Sequence, residues 1–179
     1  DVATVELLGA LKNVVALAAG FCDGLGVGSS SKAAVLRRGL LEMQTFCQRF
    51  GDASFRPATL MASCGVADLI ATCYGGRNRR CAAEFAKQRQ HCVDQLNAEG
   101  AADLWHRIEA NELAGQKLQG VGTCAEVLAF LQDSGYLDEH PDDFLLLRRV
   151  HAIACHGDPV DTLLPSSKGD KDHMPIEEL

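Results

Sequence analysis

What the 179-residue sequence lacks narrows its class first. Basic residues are in deficit, with 17 Lys and Arg against 24 Asp and Glu and a formal net charge of -7. A nucleic-acid binder draws its affinity from a basic surface that neutralises backbone phosphates, so nucleic acid is not expected as a partner. No C-x-x-C pair occurs among Cys22, Cys47, Cys64, Cys73, Cys81, Cys92, Cys124 and Cys155, which removes the spacing of a zinc site or a redox dithiol. Cysteines scattered in this way are expected as small core residues in a reducing compartment. The six histidines are equally scattered. His151, Cys155 and His156 come nearest to a metal set but have no partner pair at ligand spacing, so no metal is expected.

The uninterrupted apolar stretch near the start, Val14 to Cys22, is too short to span a bilayer, and Glu6, Lys12 and Asn13 precede it. A basic leader and an initiator methionine are both missing, so neither a secretory signal nor a membrane partner is expected, and cytoplasm is the default location. A chain opening at Asp1 reads as a fragment, a processed product or an isolated domain. No period-two strand, βαβ unit or internal repeat is visible, which leaves an all-α fold.

What is present is helical periodicity over a composition that is 47% hydrophobic, enough for one domain with a sizeable core. Leu7, Leu8, Leu11, Val14, Val15, Ala18, Phe21 and Cys22 recur at helical spacing, and the glycine-rich segment Gly24 to Gly28 ends that helix. Ser30 or Ser31 is expected to cap a second helix running to about Phe50. Short helical pieces are expected from Pro57 to Tyr74, and a longer helix from Asn78 to about Asn97, closed at Glu99-Gly100. Another passes through Leu104, Ile108 and Leu113. Two more cover about Thr123 to Gln132 and Asp142 or Asp143 to about His156. The domain is thus expected to occupy residues 1–156. From Gly157 on, with Pro159, Pro165 and Pro175, an extended or disordered tail is expected.

The stretch from Ser63 to Arg80 carries the chemistry. Asp68 and Thr72 are four apart and share a helix face beside the apolar Val66, Leu69, Ile70 and Cys73. Gly75-Gly76 is expected to end that helix through positive φ, after which a new helix opens with free N–H groups and a positive dipole end. Such an end binds phosphate, and Arg77 adds a planar cationic fork while Asn78 adds an amide donor. The cluster Arg77, Arg79 and Arg80 suits a small anion, although a solvated arginine run on an ordinary turn would look the same. Lys12-Asn13 interrupts the apolar first helix, where an ammonium is costly unless partnered or kept near water. A lysine so placed can give and take a proton, or simply snorkel along the helix flank. Lys117 and Gln119 lie between Gly115 and Gly120, in a loop that lets backbone approach a ligand or is an ordinary interhelical turn.

Together these segments resemble the C-terminal substrate domain of the NAD-dependent glycerol-3-phosphate dehydrogenase family. The resemblance rests on Ala10 to Ala16, Gly20 to Gly26, Lys32 to Val35, Cys64 to Ile70, Thr72 to Arg79 and Gly115 to Gly120, in the family's order. It implies the multi-helix C-terminal domain of the 6-phosphogluconate-dehydrogenase-like superfamily, interconversion of dihydroxyacetone phosphate and sn-glycerol 3-phosphate, NAD as cofactor, and a homodimer. It further implies that Lys12 is the proton donor or acceptor at the substrate's C2 oxygen and that Asp68 lines and polarises the site, where its carboxylate can hold and orient the lysine. Asn13 and Thr72 would line the site. Arg77 and Asn78 would grip the phosphate, and Arg77, Lys117 and Gln119 would approach the cofactor. Three departures stand against the family pattern: a longer segment between Arg80 and Gly115, a divergent Pro141 to Ala154, and Ala71 where a second threonine often precedes Thr72. The sequence has no G-x-G-x-x-G after a strand, so the Rossmann half is absent and this chain alone is expected not to turn over. Two other readings stay open: a non-catalytic module that binds phosphate esters or dimerises, and a related dehydrogenase acting on another phosphorylated hydroxy compound.

Overall fold

A computed structural model describes residues 1–53, 55–90, 96–113 and 116–164, all in helices, turns and loops with no strand among them. Expectations that fall on Cys92, on Gly115 and on 165–179, with Pro165 and Pro175, lie outside the described residues.

Helix α1 (Val2–Leu25) is the axis of the fold. By length and composition it could cross a bilayer, which the run Val14 to Cys22 alone does not reveal. Its apolar groups are instead taken up by neighbouring helices, and Val14 to Ala19, Phe21 and Cys22 have no exposed surface. Asp1 caps its start by accepting the Thr4 N–H, and Gly26 closes its end at φ 69, a left-handed conformation that favours glycine. The chain reverses into α2 (Ser29–Phe50), antiparallel to α1, with Gly39 seated against Val15. The expected cap at Ser30 or Ser31 does not form. The helix already starts at Ser29, with Gly28 as N-cap and Gly28 O accepting the Lys32 N–H.

Helix α3 (Pro57–Met61), a wide turn Ser63–Ala67 kinked at Gly65, and α4 (Asp68–Gly75) follow. A Cβ at Gly65 would stand 2.1 Å from Leu60 O, so the kink needs glycine. Positive φ does not end α4. Gly75 is its last residue, and Gly76 is extended at φ -71. Gly76 is needed for space, because a Cβ there would meet Thr72 O at 2.4 Å.

Helix α5 (Arg77–Gln90) runs beside α1 in the same direction, at a distance only small residues allow. A Cβ on Gly20 would lie 2.2 Å from Arg79 O, and one on Gly24 would lie 2.5 Å from Ala83 O. This close seam sets the head of α5 against the middle of α1. Phe85 stacks on Trp105 with ring centroids 4.2 Å apart, and Phe21 packs on both. Such a pair adds about 1 kcal/mol beyond its burial.

The expected helix to Asn97 is shorter. It reaches Gln90 among the described residues, and Leu96 and Asn97 are not helical. Gly100 does not close it but lies in the first turn of α6 (Ala98–Glu112), where Asn97 as N-cap accepts the Gly100 N–H at 2.9 Å. Helix α7 (Gln119–Asp133) begins ahead of the expected Thr123, and α8 is the short Tyr136–Glu139.

Helix α9 (Leu145–His151) runs on into a wider turn, Ala152–His156. Its start is later than Asp142 or Asp143 because Phe144, buried at φ 57, breaks the helical path just before it. The buried Glu42 of α2 holds that start, accepting the Leu146 and Leu147 N–H groups at 2.9 and 3.0 Å and the Arg38 Nε–H at 2.9 Å. Burial raises the Glu42 carboxyl above its ordinary range, opposed by those three donors. Nor is the segment after Gly157 extended at once: Val160–Leu163 forms a 3-10 turn that buries Val160 and Leu163 against α1 and α9.

Candidate active site

Helix α4 buries Leu69 and Cys73 and leaves Asp68 and Thr72 at the margin of its contact with α1. Lys12, on a polar step of α1 at that contact, donates from Nζ to Asp68 Oδ2. The lysine side chain is 21% exposed and the carboxylate 38%, so the pair is neither sealed in the core nor fully solvated. The ammonium is partnered at the rim of the domain, which is how an apolar helix tolerates it. Its other two hydrogens remain for a ligand. Thr72 Oγ1 donates to Asp68 O at 2.7 Å, so its hydroxyl can only accept from a ligand in this rotamer.

Asn13, the next residue on α1, links this pair to the head of α5. Asn78 Nδ2 donates to Asn13 Oδ1 at 2.9 Å, Asn13 Nδ2 donates to Gly9 O at 3.1 Å, and Gly120 N donates to Asn78 Oδ1 at 2.9 Å. Asn78 is thus buried and held on both sides, while Arg77 beside it is exposed. Arg77 Nη1 donates to Gln116 Oε1, which reaches it from the loop before α7.

The three-arginine cluster is smaller than expected. Arg79 turns back and donates from Nε to Asp23 of α1, which also accepts from Lys32 at 2.8 and 2.9 Å. Lys32 in turn lies 4.5 Å from the centre of the Tyr74 ring. Arg77 and Arg80 are left exposed at the head of α5, and α5's first intrahelical acceptor, Gly76 O, serves Arg80.

Lys117 and Gln119 are exposed, with no partner among the described residues. Their loop is not loose, because Leu118 between them is buried and its N–H is held by Glu109 Oε1 at 2.7 Å.

Sequence reasoning missed Gln116, Glu109, Gly120 and the Asp23–Lys32–Arg79 group as contributors. Asp23 and Lys32 are nine positions apart across a helix reversal, a relation no helical period encodes. Among the described residues no three of His, Cys, Asp and Glu gather into a metal-binding group. Five of the seven described cysteines are buried, and burial pushes the Cys22 and Cys73 thiols up to about 12.

A family profile described as "NAD-dependent glycerol-3-phosphate dehydrogenase C-terminus" matches residues 1–165. The rat protein "Glycerol-3-phosphate dehydrogenase [NAD(+)], cytoplasmic" is 44% identical over 174 residues, which is 97% of this chain and 45% of the relative. A mouse "Glycerol-3-phosphate dehydrogenase 1-like protein" is 45% identical over the same share. Among solved structures, that of "DsGPDH of Dunaliella salina" aligns with a TM-score of 0.79 and 44% identity over 91% of this chain and 26% of its own. A yeast glycerol-3-phosphate dehydrogenase aligns with a TM-score of 0.76 and 37% identity, over 91% of this chain and 41% of its own. The chain spans a little under half the length of the curated relatives it matches. With its helical fold and its match to that profile over all the described residues, the chain belongs to the NAD-dependent glycerol-3-phosphate dehydrogenase family, as its C-terminal domain.

Proposed function

We propose that this chain is the substrate-binding and catalytic half of an oxidoreductase that interconverts dihydroxyacetone phosphate and sn-glycerol 3-phosphate with NADH and NAD. The observation that carries the reading is the half-buried Lys12–Asp68 pair tied, through Asn13 and Asn78, to the cationic head of α5.

The nicotinamide cofactor, when bound, would supply a hydride to the substrate's C2 as NADH or accept one from it as NAD. As the C2 oxygen takes on alkoxide character, a hydrogen of the Lys12 ammonium stabilises the charge and then passes to that oxygen; in reverse, the neutral amine takes the hydroxyl proton. Asp68 accepts from Lys12 and so keeps Nζ in place through both states. Arg77 and Asn78 hold the remote phosphate, so binding energy from a group that does not react orients C2. Asn13 and Thr72 line the space between.

The donor sets of Arg77, Lys117 and Gln119 fit one edge of an anionic dinucleotide, since all three are exposed and lie on two adjoining segments. No strand that could carry a phosphate-binding turn occurs among the described residues. We read the protein as cytoplasmic, as the rat relative is named, and as a homodimer built through its helices.

The test is NADH oxidation with dihydroxyacetone phosphate by the full-length protein that carries this chain. Turnover with this substrate supports the reading. Turnover only with another phosphorylated hydroxy compound replaces the substrate, and none in a folded, NADH-binding protein refutes the reading.

A further inference from the structure

We infer that Gly120 is a positioning residue that polarises the anion site, by fixing the Asn78 carboxamide so that Asn78 and Asn13 turn their oxygens to internal donors and keep N–H groups for a ligand. The inference rests on the phosphate reading of this site.

An isolated asparagine side chain can flip and present either oxygen or NH2 to a ligand, and an oxygen turned toward a phosphate would repel it. Here the choice is removed from two sides. Gly120 N–H, in the first turn of α7, points at Asn78 Oδ1 from 2.9 Å and can be satisfied only by an acceptor, so it pins the oxygen. The NH2 group then faces Asn13, whose own oxygen accepts one of its hydrogens. Asn13 is in turn fixed because its NH2 donates back to Gly9 O within α1.

The hydrogen-bond count follows from the chain of donors. Each asparagine has two amide hydrogens and spends one, on Asn13 Oδ1 or on Gly9 O, and both side-chain oxygens are occupied as acceptors. Among the described residues each therefore keeps one amide hydrogen unspent, while its oxygen is turned to an internal donor. The sense of the whole relay is set at one end by a backbone N–H, the one donor that no rotation can reverse.

Only glycine permits this approach. A Cβ at position 120 would stand 2.8 Å from Asn78 Oδ1 and 2.9 Å from Asn13 O, too close to either. One of the two contacts is the oxygen that Gly120 must bind and the other is α1 backbone, so the helix rather than a flexible side chain would have to move.

The experiment uses the 15N-labelled 179-residue chain, with glycerol 3-phosphate as probe and the side-chain and backbone amide signals as readout. In the wild type, the probe should shift the Asn13 and Asn78 side-chain signals, and Arg77→Ala should weaken binding. Gly120→Ala should weaken binding at least about tenfold, the size expected for a misdirected hydrogen bond to a charged ligand. In an Asn78→Ala background, Gly120→Ala should cost clearly less than it does in the wild type, because the part of its effect that runs through Asn78 is gone; an additive loss would mark a merely structural role and overturn the proposal. Should Gly120→Ala fail to fold, Asn78→Asp decides. It can still accept from Gly120 but has no hydrogen to give, so binding should fall by about tenfold or more, and retained binding overturns the proposal. Wild-type binding with unchanged affinity in Gly120→Ala refutes the positioning role and leaves the phosphate reading standing. No shift of any wild-type signal on addition of the probe refutes the phosphate reading and this proposal with it.

Discussion

Lys12 and Asp68 are 56 positions apart in the sequence and meet as a direct ion pair. They meet because α4 buries Leu69 and Cys73 and packs its margin on the Lys12-Asn13 step of α1. Asp68→Asn keeps the shape and a weaker acceptor but removes the charge that holds Nζ. In the full-length protein, kcat for NADH oxidation should fall by about a hundredfold, at the low end of what a positioned proton donor supplies. The KM for dihydroxyacetone phosphate should move far less, since the proposed phosphate grip of Arg77 and Asn78 is untouched. Steady-state kinetics at saturating NADH check both.

Arg77 is the exposed fork at the head of α5, oriented by Gln116. Arg77→Ala should reduce glycerol 3-phosphate affinity by at least about tenfold, and Gln116→Ala by about threefold, since it removes an orienting contact rather than a charge. Calorimetric titration of the probe into each variant measures the ratio, and an effect of Gln116→Ala equal to that of Arg77→Ala would give the glutamine a direct contact.

Much of this was legible in the sequence, for identifiable reasons. Helix α1 showed itself through its apolar period, and the i, i+4 spacing put Asp68 and Thr72 on one face. What the sequence hid depends on distance in space. Gly24 and Gly76 read as chain breakers, yet they, like Gly20 and Gly120, sit where a Cβ would strike backbone or a buried amide. Gly100 was mistaken for a helix end, because the signal that mattered was Asn97, whose side chain starts the next helix. The arginine run looked like a single cationic patch until Asp23, across a helix reversal, took Arg79 out of it. Phe144 in a left-handed conformation has no sequence signature at all; it is tolerated because it is buried and Glu42 secures the helix behind it.

The seam between α1 and α5 is tight enough that one methyl group should matter. Gly24→Ala places a Cβ 2.5 Å from Ala83 O and from the Ala86 Cβ. It should destabilise the domain by about 1–3 kcal/mol. Because the seam also sets α5 against α1, glycerol 3-phosphate affinity should fall as well. Denaturant unfolding gives the first effect and titration the second.

Glu42 is a buried carboxylate that satisfies two N–H groups at the start of α9. Glu42→Ala leaves both donors and the Arg38 guanidinium without it, and should cost about 3 kcal/mol or more. Urea unfolding followed by circular dichroism measures the loss, and a value within about 0.5 kcal/mol of wild type, as for an ordinary surface change, would contradict the capping role.

The buried thiols predict how stability depends on alkaline pH. Burial raises Cys22 and Cys73 from an ordinary value of 9.0 to about 12, and Cys47 and Cys155 to about 11. Above pH 9 the unfolded chain releases protons that the folded chain keeps, so these groups' contribution is full below that pH and is lost as pH rises toward 11 and 12. The melting temperature should therefore drop steadily above pH 9, less so in Cys22→Ala/Cys73→Ala than in the parent. An equal slope in both would contradict the assignment.

The central claim is that Lys12 moves the proton at the substrate's C2 oxygen, and it is tested most directly by the rate of NADH oxidation with dihydroxyacetone phosphate in full-length Lys12→Ala beside its parent. The expected result is a fall in kcat of about a hundredfold or more, NADH binding unchanged, and partial recovery on adding a small primary amine. A variant that turns over within about twofold of the parent, or that loses activity only because NADH no longer binds, would contradict it.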